Sequence, residues 1–390
     1  MNKRRYTILL GIILGTMILA ACTAAPSGEI VKQSDESKPA AEVSTVAETV
    51  AEEQPAQTPA FSITDALERE IAFDAPPERI VLAGRAVIMV ADAMYLFPEA
   101  SERLIAISKI SQGEGNFTKT IDPNYDEKEV LDHNIGPEQV AAARPDLVIL
   151  KSFMAETLGN PLDELGIPVV YVDFETQQQF YRDVRVLGQI FQNEKRAEEV
   201  IDFYAQKVDQ ITTTLPDLLE DQKPDILLLY YSDKDGEIAF NIPPISWIQT
   251  SLVEMAGGNP VWRDAEMGKG WTKVNLEQIA AWDPDQIHII SYFVKSKQVV
   301  AGLKEDPQWQ ALKAVQNDQL YAFPSDYYSW DQPDTRWILG LTYLAAQINP
   351  GVYPDLDMDA EVSDFYEKLY VMDEQQIDDL IMSVLQGTLP

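Results

Sequence analysis

The chain has 390 residues, 63 acidic and 30 basic side chains, and a formal charge of −33. That balance excludes nucleic acid and electrostatic adsorption to anionic lipid as partners. One cysteine precludes an intramolecular disulfide, so a hydrophobic content of 46% must build the core of one large or two moderate domains.

The first element is a leader. Lys3, Arg4 and Arg5 precede an apolar stretch, Tyr6 to Leu19, that is too short for a comfortable membrane span. It ends in Leu19-Ala20-Ala21-Cys22. Small residues before a cut and a thiol directly after it predict a lipoprotein signal over 1–21, with Cys22 acylated as the first mature residue. Residues 22–60 are rich in Ala, Glu, Ser, Thr and Pro and carry no aromatic, which reads as a disordered linker. The expected address is extracytoplasmic, on a lipid anchor.

Folded sequence starts near Phe61. Strands are predicted at Arg79–Gly84, Leu104–Ser108, Asp146–Leu150 and Pro168–Val172, with a helix over Ala86–Phe97 after the first. Continuous apolar strands alternating with helices predict a parallel sheet covered on both faces. The longest helical pattern runs from about Gln177 to Leu215, with a break suggested at Gly188 or Asn193-Glu194. A second series of strands follows at Ile226–Tyr230, Gln286–Ser291 and Gln319–Phe323. The expected fold is α/β: two Rossmann-like lobes with parallel-sheet cores, joined by a long backbone helix. The expected boundaries are 61–178 for the N-terminal lobe, 179–222 for the linking helical segment and 223–390 for the C-terminal lobe with a helical tail.

The chain also repeats itself. Ile135-Gly136-Pro137-Glu138-Gln139-Val140-Ala141-Ala142-Ala143-Arg144-Pro145-Asp146 matches Val274-Asn275-Leu276-Glu277-Gln278-Ile279-Ala280-Ala281-Trp282-Asp283-Pro284-Asp285. Each copy reads as a short helix, a Pro-Asp turn and a strand. Pro137 suits a first helical position, and Asn275 with Gln278 suits a capping box.

The repeated Glu-Gln-(Ile/Val)-Ala-Ala-x-x-Pro-Asp resembles a signature of the substrate-binding proteins that serve iron–siderophore, heme and cobalamin importers. Pro77–Val81, Leu187-Gly188, Arg196–Glu199, Ala256–Asn259 and Arg336–Ala345 extend the resemblance from about Phe61 to the C-terminus. It implies two lobes on one long helix, an ABC permease dimer with a cytoplasmic ATPase as partner, and a monomer that binds without chemistry. It also implies that Glu138 and Glu277, one per lobe, dock on basic pockets of the permease. A glutamate in a first helical turn also complements the helix dipole without any partner.

Ligands of open α/β sheets bind beyond the carboxyl ends of the strands. There the N-terminal lobe places Arg85, Lys109 and Lys151, three cations suited to an anionic solute such as a metal chelate or an oxyanion. The C-terminal lobe places aromatics: Tyr231, Tyr292, and Tyr327, Tyr328 and Trp330 beside Asp326. Trp247 and Trp271 join them from loops. The resemblance implies a cleft role for Trp271 and Asp326, as in cobalamin binders. The longer loop between Asp326 and Arg336 argues against carrying that ligand over. An iron–siderophore or similar chelate is therefore the expected solute, with heme, cobalamin or molybdate as alternatives. No resident cofactor is expected, and no metal site, because His133 and His288 are the only imidazoles. No nucleophile elbow, phosphate loop or zinc-protease helix supports an enzyme. A catalytic lipoprotein, or a sensor or adhesin on the same fold, is the alternative class.

Overall fold

The apolar runs Ile80–Leu82, Leu104–Ser108, Leu147–Lys151 and Val169–Val172 are buried almost throughout, as strands covered on both faces must be. The computed structural model describes residues 60–390 apart from Glu114, Asp217, Asp235 and Met267. The expected signal peptide, the acylated Cys22 and nearly all of the linker lie outside the described residues.

A small antiparallel hairpin, β1 (Phe61–Thr64) with β2 (Glu70–Phe73), opens the N-terminal lobe. Its sheet comprises β3 (Ile80–Leu82), β4 (Leu104–Ser108), β5 (Glu129–Leu131), β6 (Leu147–Lys151) and β7 (Val169–Val172), in the order β5-β4-β3-β6-β7, all parallel. The order reverses at β3, so the ends of β3 and of its neighbours β4 and β6 surround a switch-point crevice.

The C-terminal lobe holds β8 (Asp225–Lys234), β9 (Glu237–Ile242), β10 (Asn259–Pro260), β11 (Thr272–Val274), β12 (Gln286–Ile290) and β13 (Leu320–Ala322). β10, β8, β12 and β13 pair in parallel, but β9 runs antiparallel to both β8 and β11. This sheet is therefore mixed, where a parallel core was expected. The cause is local: β8 is ten residues long and folds back into a hairpin whose second strand, GluIleAlaPheAsnIle, is half-exposed and carries no continuous apolar run.

The predicted long helical segment is two helices, Gln177–Phe191 and Glu194–Thr214. Gln192 in the left-handed region (φ 56°) ends the first, and the Asn193 side chain caps the second by accepting from Arg196 N at 3.2 Å. The two pack closely because position 188 is glycine: a Cβ there would fall 2.7 Å from Ala197 Cβ. Gln177–Phe191 belongs to the N-terminal lobe, where Asp183 accepts from Asp173 N (2.7 Å) and Phe174 N (2.8 Å). Glu194–Thr214, about 30 Å long by helical rise, touches both lobes. Its Arg196 donates to Leu96 O at 3.0 Å and to Leu369 O at 2.7 Å. Farther along, Tyr204 donates to Thr335 O.

Both copies of the repeat fold alike. Pro137–Ala142 and Leu276–Trp282 are short helices that lead into β6 and β12. Asn275 caps the second by accepting from Gln278 N at 2.8 Å, and Gln139 reaches back to Gly136 N at 3.1 Å in the first. Among the described residues no helix is long and apolar enough to cross a membrane.

Candidate functional site

β3 delivers its chain to the crevice through Ala83, Gly84 and Arg85. Gly84 and Ala86 adopt positive φ (90° and 56°), a sharp turn that starts the helix Val87–Met94 with no side-chain cap and no acid in its first turn. The helix's leading N–H groups and its positive dipole end are thus left for whatever occupies the crevice. Arg85 and Lys109 flank this point, one after β3 and one after β4, and both are exposed. Together with Gln112 and His133 they line a cavity of about 190 Å³ whose walls carry no carboxylate. Arg85 Nη2 donates to the neutral Asn134 side chain at 3.1 Å. His133 lies 3.7 Å from Asp132. In so acidic a chain, a cavity lined by two cations, no carboxylate and an uncapped helix start is a local concentration of positive charge.

Lys151 does not join them. It is buried, and its ammonium donates to Asp173 O and, at 2.6 Å, to Glu175. Its charge is compensated inside the lobe.

The aromatic residues of the C-terminal lobe divide into two groups. Tyr230 stacks on Tyr292 (centroids 4.5 Å apart) and leans on Trp271 (4.9 Å), and Trp271 meets Trp247 edge-on at 5.7 Å. This is a continuous aromatic wall. Tyr231 faces the other way, against Phe240 at 5.8 Å, because consecutive strand residues point to opposite faces. Tyr230 is therefore the wall residue, where the expectation named Tyr231. The signal lay in register, which one apolar run cannot reveal.

The second group, Asp326 to Trp330, fills the joint between lobes. Tyr328 and Trp330 are fully buried, and Tyr327 nearly so. Tyr327 packs on Phe117 of the N-terminal lobe at 5.5 Å, and Tyr328 OH accepts from Phe117 N at 3.3 Å. Asp326 accepts from Arg336 Nε (2.6 Å), Tyr366 OH (2.6 Å) and Trp330 Nε1 (3.1 Å), so its oxygens are committed to protein. Arg336, itself without exposure, also pairs with Asp92 of the N-terminal lobe and with Asp334. Burial pushes the Asp92 carboxyl up to about 6, against the pull of Arg336, and drives Asp334 upward in the same way. Among the described residues, no group of three or more His, Cys, Asp or Glu side chains is placed to hold a metal ion.

Missed by sequence reasoning altogether was Asp331. It is fully buried beneath Tyr292, whose hydroxyl donates to it at 2.7 Å, and Gln249 donates to the same oxygen at 3.1 Å. Also missed was the loop after β4. Gly113 N donates across the cleft to Tyr292 O at 3.0 Å, and Gln112 bonds to Gln332. Neither signal is readable from periodicity, since both depend on which loops meet.

Glu138 and Glu277 are exposed in the first turns of the two repeat helices.

The profile of the family described as periplasmic binding protein matches residues 113–327. The molybdate-binding protein MolA of Haemophilus influenzae is 22% identical over 340 residues, which cover 79% of this chain and 90% of that protein. The iron-uptake system-binding protein of Bacillus subtilis is 22% identical, covering 70% of this chain and 81% of its own length. The crystal structure of a periplasmic solute binding protein from Veillonella parvula superposes with a TM-score of 0.65 at 22% identity, over 83% of this chain and 98% of that one.

Proposed function

The chain belongs to the periplasmic binding protein family of ABC importers, whose members capture solutes and transform none, and on that premise we propose that this one captures a compact anion for delivery to its permease. The observation that carries the reading is the carboxylate-free cavity of about 190 Å³ between Arg85, Lys109 and the uncapped helix Val87–Met94. Pockets for drug-sized ligands span about 300–1,000 Å³. A tetrahedral oxyanion such as molybdate fits the smaller space whole, and the oxyanion named for the Haemophilus relative agrees with it.

A second reading, an iron–siderophore or similar metal chelate, is favoured by the wall of Tyr230, Trp271, Tyr292 and Trp247, which offers stacking area that a bare oxyanion does not use. Phe153 and Phe293, exposed after β6 and β12, add apolar surface beyond the same strand ends. The iron-uptake relative supports this reading.

Position supports a role in delivery for two glutamates. Glu138 and Glu277 sit at equivalent places of the two repeats, one per lobe, exposed, and each would meet a basic pocket on one permease subunit. We place the protein outside the cytoplasm, anchored through acylated Cys22 and acting as a monomer. The Leu19-Ala20-Ala21-Cys22 sequence supports the anchor.

The test is a thermal-shift panel of molybdate, ferric siderophores, heme and cobalamin. Stabilisation by molybdate that disappears in Arg85→Ala supports the first reading. Stabilisation by a ferric chelate alone supports the second, and by heme or neutral cobalamin alone contradicts the anion site.

A further inference from the structure

We propose that Gly113 is a specificity-determining residue: its seat on the C-terminal lobe holds a partition that sets how large a solute the cleft admits. The inference rests on the anion-binding reading and extends it to solute size.

Three observations build it. The Gly113 N–H donates to Tyr292 O at 3.0 Å, and the neighbouring Gln112 side chain bonds to Gln332, so the loop after β4 is fastened to the opposite lobe. The seat admits glycine alone. A Cβ at 113 would run into the Tyr327 carbonyl oxygen and lie 2.6 Å from Tyr328 Cδ1, and its φ of 84° disfavours any L side chain. The seat cannot yield either, because Tyr327 and Tyr328 are held by the buried Asp326–Arg336 pair and by Phe117.

The third observation is what this fastened segment divides. Gln112 lines the cationic cavity of about 190 Å³ on one side. On the other it lines, with Gly113 and Tyr292, a residual space of only about 20 Å³, room for a water molecule and no more. Seated, the segment confines a solute to the pocket of Arg85 and Lys109. Unseated, it joins that pocket to Tyr292 and hence to the aromatic wall. Compact anions are then bound with the segment down, and bulky chelates require it to lift.

Hydrogen exchange of the Gly113 amide in the full chain reads this directly. Molybdate should increase its protection in the wild type, and a ferric siderophore should decrease it. Gly113→Val should weaken molybdate binding about 10-fold while leaving siderophore binding unchanged or tighter, and segment 109–113 should exchange faster without any solute. Gln332→Ala, which removes the side-chain fastening and leaves the glycine seat intact, should shift both affinities the same way by a smaller factor, and it serves if the valine variant does not fold. Equal protection of Gly113 with and without either bound solute, or unchanged exchange of the segment in both variants, would overturn the proposal. If the wild type binds neither solute, the ligand reading fails, and the solute-free exchange comparison alone decides the partition.

Discussion

Tyr292 donates its hydroxyl hydrogen to Asp331 across 2.7 Å, so a side chain of the aromatic wall is tethered to a carboxyl with no exposure to solvent. Gln249 adds a second donor to the same oxygen, and the other oxygen finds no partner among the described residues. Burial outweighs these hydrogen bonds and pushes the Asp331 carboxyl up to about 6.

That shift has a sign. Unfolded, the group titrates near 3.9, so between about pH 4 and 6 the folded protein binds more protons and loses stability as pH rises. By linkage the loss approaches about 3 kcal/mol above pH 6. Asp331→Asn keeps an acceptor for Tyr292 and removes the buried charge. In urea titrations it should match or exceed the wild type at pH 8, by about 1–3 kcal/mol, with the advantage shrinking at pH 5. An advantage independent of pH would contradict the assignment.

His288 acts in the opposite direction. It is fully buried between Tyr343 OH (3.0 Å) and Gln286 Oε1 (3.2 Å), and burial pushes the imidazole down to about 3. Its contribution is complete above the unfolded value near 6.5 and is lost as pH falls from there towards 3. His288→Gln should lose about 1–2 kcal/mol at pH 7 through poorer packing. Its stability should fall less steeply than that of the wild type between pH 6.5 and 4, and parallel curves would show that the imidazole does not titrate as described.

Among the described residues, Arg336 is the only base paired with Asp92, Asp326 and Asp334, in a joint without solvent exposure. Arg336→Met strands three carboxyls and should cost about 3–5 kcal/mol. Adding Asp92→Asn should recover part of that loss, and a double variant no more stable than the single one would separate the two residues energetically.

Glu138→Ala with Glu277→Ala should leave solute affinity and melting temperature at wild-type values and abolish uptake in a reconstituted transporter. Undiminished uptake would remove both residues from docking.

Much of the fold was legible because burial on both faces forces continuous apolar runs, and the strands at 104–108 and 286–290 announce themselves that way. The duplicated Pro-Asp turn was equally open, since proline ends each helix at a fixed place. β9 was not, because exposed Glu237 and half-buried Asn241 leave it without an apolar run. Arg85 and Lys109, which line the same cavity, were placed there in advance by the rule of strand ends. Lys151 occupies an equivalent strand end, but Glu175 claims it, a contact 24 residues away that no pattern encodes. Tyr230 and Tyr231 differ by one register step, and only the sheet's facing decides between them.

The most direct test is an equilibrium titration of the full chain with molybdate, wild type against Arg85→Ala and Lys109→Ala. A charge-assisted hydrogen bond contributes about 1.5–3 kcal/mol, so each variant should weaken binding about 10- to 100-fold at unchanged melting temperature of the solute-free protein. Wild-type affinity in both variants would contradict the claim that this cavity holds the anion.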